Sequence, residues 1–288
     1  MMGRSLACAL RLDNRRVSGE HALLFWTERR GWRIRDLGSR NGTFIDGELL
    51  PPGQRRGLVP GARLAVADEV FVFEDDLPPA AVARHADGTT LVARDGLLAV
   101  PDEENPKAVI FDDPIHGWVA EIDGVPRLVV DQTIVEVDEA PWVLGLPPHQ
   151  EAVSLTSTVE ADRASLRLRS IEKLVFTVTR DEEHVELTLR HGVLAIEVPS
   201  RAHHYMLLTL ARAVLEDAEL PPAERGWRGV EALCRMLRID HLKLNSEVFR
   251  ARRQLAGLGL ADAGSLIERR ADSHQLRLGV LRVEVELI

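Results

Sequence analysis

The sequence predicts a multidomain chain: an all-β sandwich, a small central β module and a C-terminal α+β domain. Three observations lead there. The chain has 288 residues, more than one typical domain of about 150. Its first half reads as short apolar or alternating segments separated by turn residues, the pattern of sandwiches and barrels. Helical periodicity begins only after Ser200.

Residues 1–78 contain candidate strands at Leu23 to Trp26, Trp32 to Leu37, Thr43 to Ile45 and Val70 to Glu74. Turn signals lie between them at Arg30-Gly31, Asn41-Gly42, Asp46-Gly47, Pro51-Pro52-Gly53 and Pro60-Gly61. Leu77-Pro78-Pro79-Ala80 reads as a linker. Residues 79–150 form the expected central module. Candidate strands there are Thr90 to Ala93, Leu97 to Val100, Ala108 to Phe111, Trp118 to Ile122, Arg127 to Val130, Ile134 to Val137 and Trp142 to Leu146. Leu146-Pro147-Pro148-His149 reads as a second linker.

Residues 151–288 change character. Ile171 to Arg180 and His184 to Val198 alternate as a hairpin. One helix is expected from Ser200 through Leu215, a second over Trp227 to Leu237 and a third over Asn245 to Leu258. A β-like tail, Ser265 to Arg269 and Gln275 to Leu287, ends the chain.

Composition excludes several classes. The chain is 45% hydrophobic and 28% charged, which excludes wholesale disorder. No apolar run reaches the roughly 18 residues of a membrane span. Met1 to Leu12 carries two arginines and no apolar core, so no secretory signal is expected. Two distant cysteines, Cys8 and Cys234, give no disulfide framework and point to a reducing cytoplasm. The net charge of −9 is concentrated in residues 79–150, with 4 basic and 13 acidic side chains, a net of −9. Residues 235–282 hold 10 basic and 5 acidic side chains, a net of +5. That local balance leaves nucleic acid open as a partner. Arginine supplies nearly all the basic charge, which fits a GC-rich bacterial genome.

Three blocks resemble a forkhead-associated (FHA) domain: Gly3-Arg4, Val17-Ser18-Gly19-Glu20-His21, and Asp36-Leu37-Gly38-Ser39-Arg40-Asn41-Gly42-Thr43-Phe44-Ile45-Asp46-Gly47. The resemblance implies a β-sandwich whose loops bind phosphothreonine peptides. Arg4 would pair with the phosphate and Ser18 would donate its hydroxyl to it. Gly19, Arg40 and Asn41 would complete the peptide-facing loops, with Asn41 holding the peptide backbone. Gly3, His21, Gly42 and Gly47 would be structural, His21 as a brace of the Ser18 loop. Gly19 stands where the family usually has a basic residue. The family also has about two strands ahead of Gly3-Arg4, so the resemblance implies a sandwich short of its N-terminal strands.

Residues 171–285 resemble a winged helix of the response-regulator type. The local matches are Ala202 to Leu208 and Leu244 to Leu255. On a helical wheel centred on Val248, Ala251 and Leu255 make the core face, while Ser246, Arg250 and Arg253 fall within about 60° of one another on the opposite side. These three are the candidate major-groove readers. Arg269, Arg270 and Arg277 are candidate phosphate contacts from the wing. Arg252 falls near the core edge and is expected to brace through a salt bridge. Double-stranded DNA is one expected partner of this region, and protein contact is the alternative. The acidic middle module would act as a spacer or as a mask of the basic face.

No P-loop, nucleophile elbow, kinase block or dinucleotide glycine pattern is present. His203 and His204 are adjacent on an expected helix and point about 100° apart, which does not suit one metal. Asp102-Glu103-Glu104 and Asp181-Glu182-Glu183 read as solvated turns, and the five tryptophans as core. The expectation is a cytoplasmic, non-enzymatic signalling protein with no cofactor, no metal and no small-molecule substrate. Its partner would be a threonine-phosphorylated protein.

Overall fold

The computed structural model describes residues 1–27, 29–149 and 166–288. Its contacts divide the chain into two compact units, Met1–Pro79 and Ala80–Ile288. The division falls in the proline-rich stretch at residues 77–80. The start of the expected third segment, 151–165, lies outside the described residues.

The first unit is two antiparallel-dominated sheets face to face. One runs in the order Leu10–Arg11, Met2–Gly3, Ala22–Thr27, Gly31–Asp36, Arg55–Gly57. The other runs Glu48–Leu50, Thr43–Ile45, Arg63–Val66, Glu69–Val72. Alternation decides which side chains enter the core. Thr43 and Ile45 point inward while Phe44 does not, and Ile34 and Asp36 point inward from the neighbouring sheet. Met2, Val17, Ala22, Ile34, Leu50, Leu64 and Val66 fill the space between the sheets. Five strands that the sequence did not mark, Met2–Gly3, Leu10–Arg11, Glu48–Leu50, Arg55–Gly57 and Arg63–Val66, are all short.

The second unit begins with two four-stranded sheets. One is Thr90–Val92, Val82–His85, Ala140–Gly145, Ile134–Val137. The other is Leu97–Val100, Ala108–Asp113, Gly117–Ile122, Val125–Leu128. Leu98, Val100, Ile110 and Ala120 from the second sheet meet Ala83, Val135, Trp142 and Leu144 from the first. The opposite face of that same second sheet is also covered. Leu97, Ala99, Val109, Phe111 and Val119 belong to the large core of the C-terminal part. Every residue of Leu97–Val100 is therefore buried, the mark of a sheet covered on both faces. This corrects the expected division near residue 150: the acidic segment 80–149 and residues 166–288 share one core.

The C-terminal part has a sheet in the order Leu194–Val198, Val185–His191, Lys173–Val178, Val283–Leu287, its last pair parallel. Three helices follow the first three strands: α1 (His204–Glu216), α2 (Val230–Leu237) and α3 (His241–Gly257). Asp240 caps α3 by accepting from the Lys243 amide at 2.7 Å. A small sheet, Arg228–Gly229, Gln275–Leu278, Ile267–Arg270, completes the unit. The order of sheet, three helices and hairpin is thus as the sequence suggested, although Gly192 splits the expected strand from His184 to Val198 into two.

A buried ion cluster joins the acidic segment to α3 and the hairpin. Glu121, on Gly117–Ile122, receives both terminal nitrogens of Arg252 at 2.8 and 2.7 Å. Arg269 reaches the same carboxylate at 3.1 Å. Arg252 is fully buried, and Arg269 and Glu121 are nearly so. Arg252 also lies 4.7 Å from the centre of the Phe111 ring and donates to the Ile267 carbonyl at 2.7 Å. Burial alone would raise the Glu121 carboxyl, but Arg252 and Arg269 outweigh it and hold its pKa below the ordinary value of 4.5.

Glu121→Gln leaves two buried guanidinium groups without their counter-charge and should destabilise the protein by about 3–5 kcal/mol at neutral pH. Because the folded pKa is depressed, this contribution is present in full above 4.5 and is lost as the pH falls through the folded value. Urea unfolding of the wild type and the variant across a pH series should show the difference shrink on the acid side.

Candidate functional site

The loops at one end of the sandwich gather three stretches that are apart in sequence. The Arg4 amide donates to the Ser18 carbonyl at 3.0 Å, and the Ser5 amide to the Gly19 carbonyl at 2.9 Å. This approach requires Gly3 to lack a side chain, since a Cβ there would sit 2.2 Å from the Gly19 oxygen. His21 is fully buried and bridges two loops. Its Nδ1 accepts from the Ser18 amide at 3.1 Å, and its Nε2 lies 3.0 Å from the Gly42 carbonyl. The first bond fixes the tautomer: Nδ1 is bare, so Nε2 carries the proton and donates. Gly42 has φ +79°, a backbone conformation that side chains rarely adopt.

The second loop is tied by Asp36. Its carboxylate accepts from the Gly38 and Ser39 amides at 2.8 and 3.0 Å. It also accepts from the Ser39 hydroxyl at 2.6 Å and the Thr43 hydroxyl at 2.7 Å. Burial pushes the Asp36 carboxyl up, but these donors together hold its pKa below 3.8. Asp36 had no role in the sequence reading. An acid followed two and three residues later by Gly38 and Ser39 was the signal available, since that spacing favours a side-chain-capped turn.

The knot presents a defined surface. The Ser18 hydroxyl oxygen accepts from the Arg40 amide at 3.1 Å, which leaves its own proton to donate. Asn41 Nδ2 donates to the Arg16 carbonyl at 2.6 Å, joining the Arg40-Asn41 loop to the approach to Ser18. Arg4, Gly19 and Arg40 are exposed. The Arg4 Nε reaches only the Val17 carbonyl, at 3.4 Å. Among the described residues neither Arg4 nor Arg40 is paired with a carboxylate. Gly47 lies further along, at φ +84° in the turn between Thr43–Ile45 and Glu48–Leu50. The Ser18 hydroxyl, with its proton left to donate, and the exposed Arg4 and Arg40 lie on loops tied together here, and such donors suit an anion with several acceptor oxygens.

In the second unit, the candidate nucleic-acid residues are mostly engaged internally. Ser246 is buried and donates to the Leu242 carbonyl at 3.0 Å, which corrects its expected place on an open face. Arg253 reaches out of α3 to Asp95 at 2.7 Å and to the Arg94 carbonyl at 2.8 Å. Arg269 is buried at Glu121 and donates to the Gly124 carbonyl and to Asn245. Arg270 and Arg277 stack over Trp227, 4.1 and 4.5 Å from its ring centre. They donate to the Ala223 and Pro222 carbonyls, each at 2.7 Å. Arg250 alone of the six is exposed, and it lies 3.3 Å from Glu247. On the polar face of α3 it is Arg253 that takes counter-charge from the acidic segment, at Asp95 and Glu103, while Arg250 pairs within the helix. A helical wheel cannot register a partner from another element.

His203 and His204 are both buried, and both rings approach Gln254 Oε1, at 2.6 and 3.0 Å. Burial is the main cause of the lowered pKa of each imidazole. No cluster of three or more His, Cys, Asp or Glu that could hold a metal occurs among the described residues. No described helix is long and apolar enough to cross a membrane.

Residues 1–67 match the family model described as FHA domain. Solved structures similar to the chain include the FHA domain of the CT664 protein from Chlamydia trachomatis, at 23% identity over 26% of this chain and 73% of that one, with a TM-score of 0.24. The Mycobacterium tuberculosis protein EmbR, solved in complex with a low affinity phosphopeptide, is 26% identical over 27% of this chain and 20% of its own, with a TM-score of 0.24. The N-terminal FHA domain of Rad53p from S. cerevisiae, solved with a phosphothreonine peptide, is 24% identical over 25% of this chain and 65% of that one, with a TM-score of 0.22. No curated protein matches the chain. The three sequence blocks and the matching family model together identify residues 1–67 as an FHA domain.

Proposed function

We propose that this chain is a non-enzymatic signalling protein that docks threonine-phosphorylated partners through its first unit. The observation that carries the reading is the Ser18 hydroxyl, fixed by the Arg40 amide on a loop that the Arg4 backbone also pairs with, while both arginine side chains stay exposed. A phosphate at neutral pH carries about −1.5 to −2 charges and three strong acceptor oxygens. Arg4 would meet two of those oxygens and Ser18 the third, while Arg40 and Asn41 lie beside the peptide chain. The knot of His21 and Asp36 fixes this arrangement before any ligand arrives, which limits the ordering cost of binding. Similar FHA structures solved with phosphopeptides support the same reading.

For residues 80–288 we favour a scaffold role in contact with protein over the reading as a DNA-binding winged helix. A groove reader needs an open basic face. Here five of the six candidate residues are buried or committed to partners within the unit. Arg269 is held in the buried ion cluster and Arg253 by part-exposed pairs with Asp95 and Glu103. Phospho-dependent transcriptional regulation would require these contacts to open.

Four outcomes test this. Calorimetry of the full chain with a degenerate phosphothreonine peptide library should show binding that phosphoserine and unphosphorylated peptides do not. The double change Arg4→Ala, Ser18→Ala should weaken it by about two to three orders of magnitude, since each charge-assisted bond contributes about 1.5–3 kcal/mol. Gly19→Arg should strengthen binding by up to about tenfold, because its Cβ direction is open and it restores a basic residue beside the phosphate. In gel-shift assays the full chain should not retain duplex DNA in low salt. Tight retention that falls steeply with added salt would instead favour the regulator reading.

A further inference from the structure

Between the sheet containing Glu121 and the C-terminal hairpin lies a cleft of about 480 Å³, within the range of small-molecule sites. Phe111, Val119, Leu128, Trp227, Ile267 and Val280 give it apolar walls. Two glycines bring those walls together. A Cβ on Gly264 would lie 2.3 Å from the Phe111 ring, and one on Gly279 would lie 2.0 Å from the Ser265 carbonyl. Ile115 and Leu128 stand exposed at the mouth.

We propose that this cleft binds a small amphipathic molecule carrying a protonated amine on an aromatic or branched aliphatic body. The group that selects the amine is Asp262. Its side chain lines the cleft and is only 5% exposed. One carboxylate oxygen accepts from the Leu168 amide. The other, Oδ2, is buried with no hydrogen-bond partner among the described residues. A buried carboxylate oxygen without a donor is costly, and an ammonium group placed beside it removes that cost.

The remaining charged groups sort by the same criterion. Glu121 is matched by Arg252 and Arg269, and Glu268 by Arg277 at 2.7 Å. Asp113 accepts from the Ile115 and His116 amides and from Ser265, which together hold its pKa low against the effect of burial. Arg127 and Arg169 line the cleft but are exposed. Solvent screens them, and they tolerate a carboxylate on the ligand's outer end without requiring one. The inner wall therefore favours a cation, and the body of the ligand lies against Phe111 and Trp227. Such a site was not legible in the sequence, because Asp262, Phe111 and Trp227 meet only in the folded unit.

Tryptamine, skatole and indole acetate offer the same ring with a positive, neutral or negative tail. Titrated into the full-length protein and followed by amide chemical shifts, tryptamine should give saturable shifts at Leu168, Ser265 and Ile267. Skatole should bind more weakly and indole acetate weakest. Asp262→Asn, which keeps the acceptor for the Leu168 amide, should weaken tryptamine about tenfold and level the preference among the three. Leu128→Arg, at the exposed mouth, should block all three without lowering the melting temperature. Skatole or indole acetate binding as tightly as tryptamine, tryptamine binding undiminished in both variants, or shifts that never saturate would each overturn the proposal.

Discussion

Glu121 sets one negative charge between two buried guanidinium groups, and most of the second unit is arranged around that fact. The carboxylate comes from the acidic segment, Arg252 from α3 and Arg269 from the hairpin. Removing any partner would leave an uncompensated charge in the interior, so the three elements keep one relative arrangement. The apolar contacts beside it, Phe111 and Val119 against the C-terminal core, supply the hydrophobic stabilisation. The ion cluster supplies register. It also ties α3 and the hairpin to the acidic segment.

The first unit rests on a different device. His21 and Asp36 are polar groups placed in a sandwich core, and each is satisfied by the loops it holds. A buried imidazole and a buried carboxylate would be liabilities anywhere else. Here they convert core rigidity into fixed positions for the Ser18 hydroxyl and the Arg40 amide. The charge that faces solvent, on Arg4 and Arg40, is left without a carboxylate partner among the described residues.

Much of this was legible in the sequence. Turn glycines and proline-rich linkers marked the strands and the break after Pro79, because those residues have conformations few others adopt. Gly3, Ser18, His21 and Asn41 were legible only through a family pattern, since nothing in their local spacing predicts a phosphate site. Arg252 was legible as a bracing residue from its angle on the helix, although its partner was not. The acidic segment was the least legible part. Leu97 to Val100 and Ala108 to Phe111 are continuous apolar runs, the signature of burial on both faces, yet no sequence rule says what lies against the second face. Glu121, Asp95 and Gly124 supply partners for α3 and the hairpin from far along the chain, so Arg253 and Arg269 looked free when considered alone. Asp36 and Asp262 were invisible for the same reason: their roles depend on which loops fold over them.

Native-state hydrogen exchange on the full chain, with and without a phosphothreonine peptide, tests the central claim most directly. Peptide should raise protection only around residues 3–5, 16–21 and 37–43. Residues 117–122 and 245–257 should be strongly protected and exchange together in both states. Rapid exchange in 245–257, or a fall in its protection when peptide binds, would contradict the account and indicate that the face of α3 is released by the ligand.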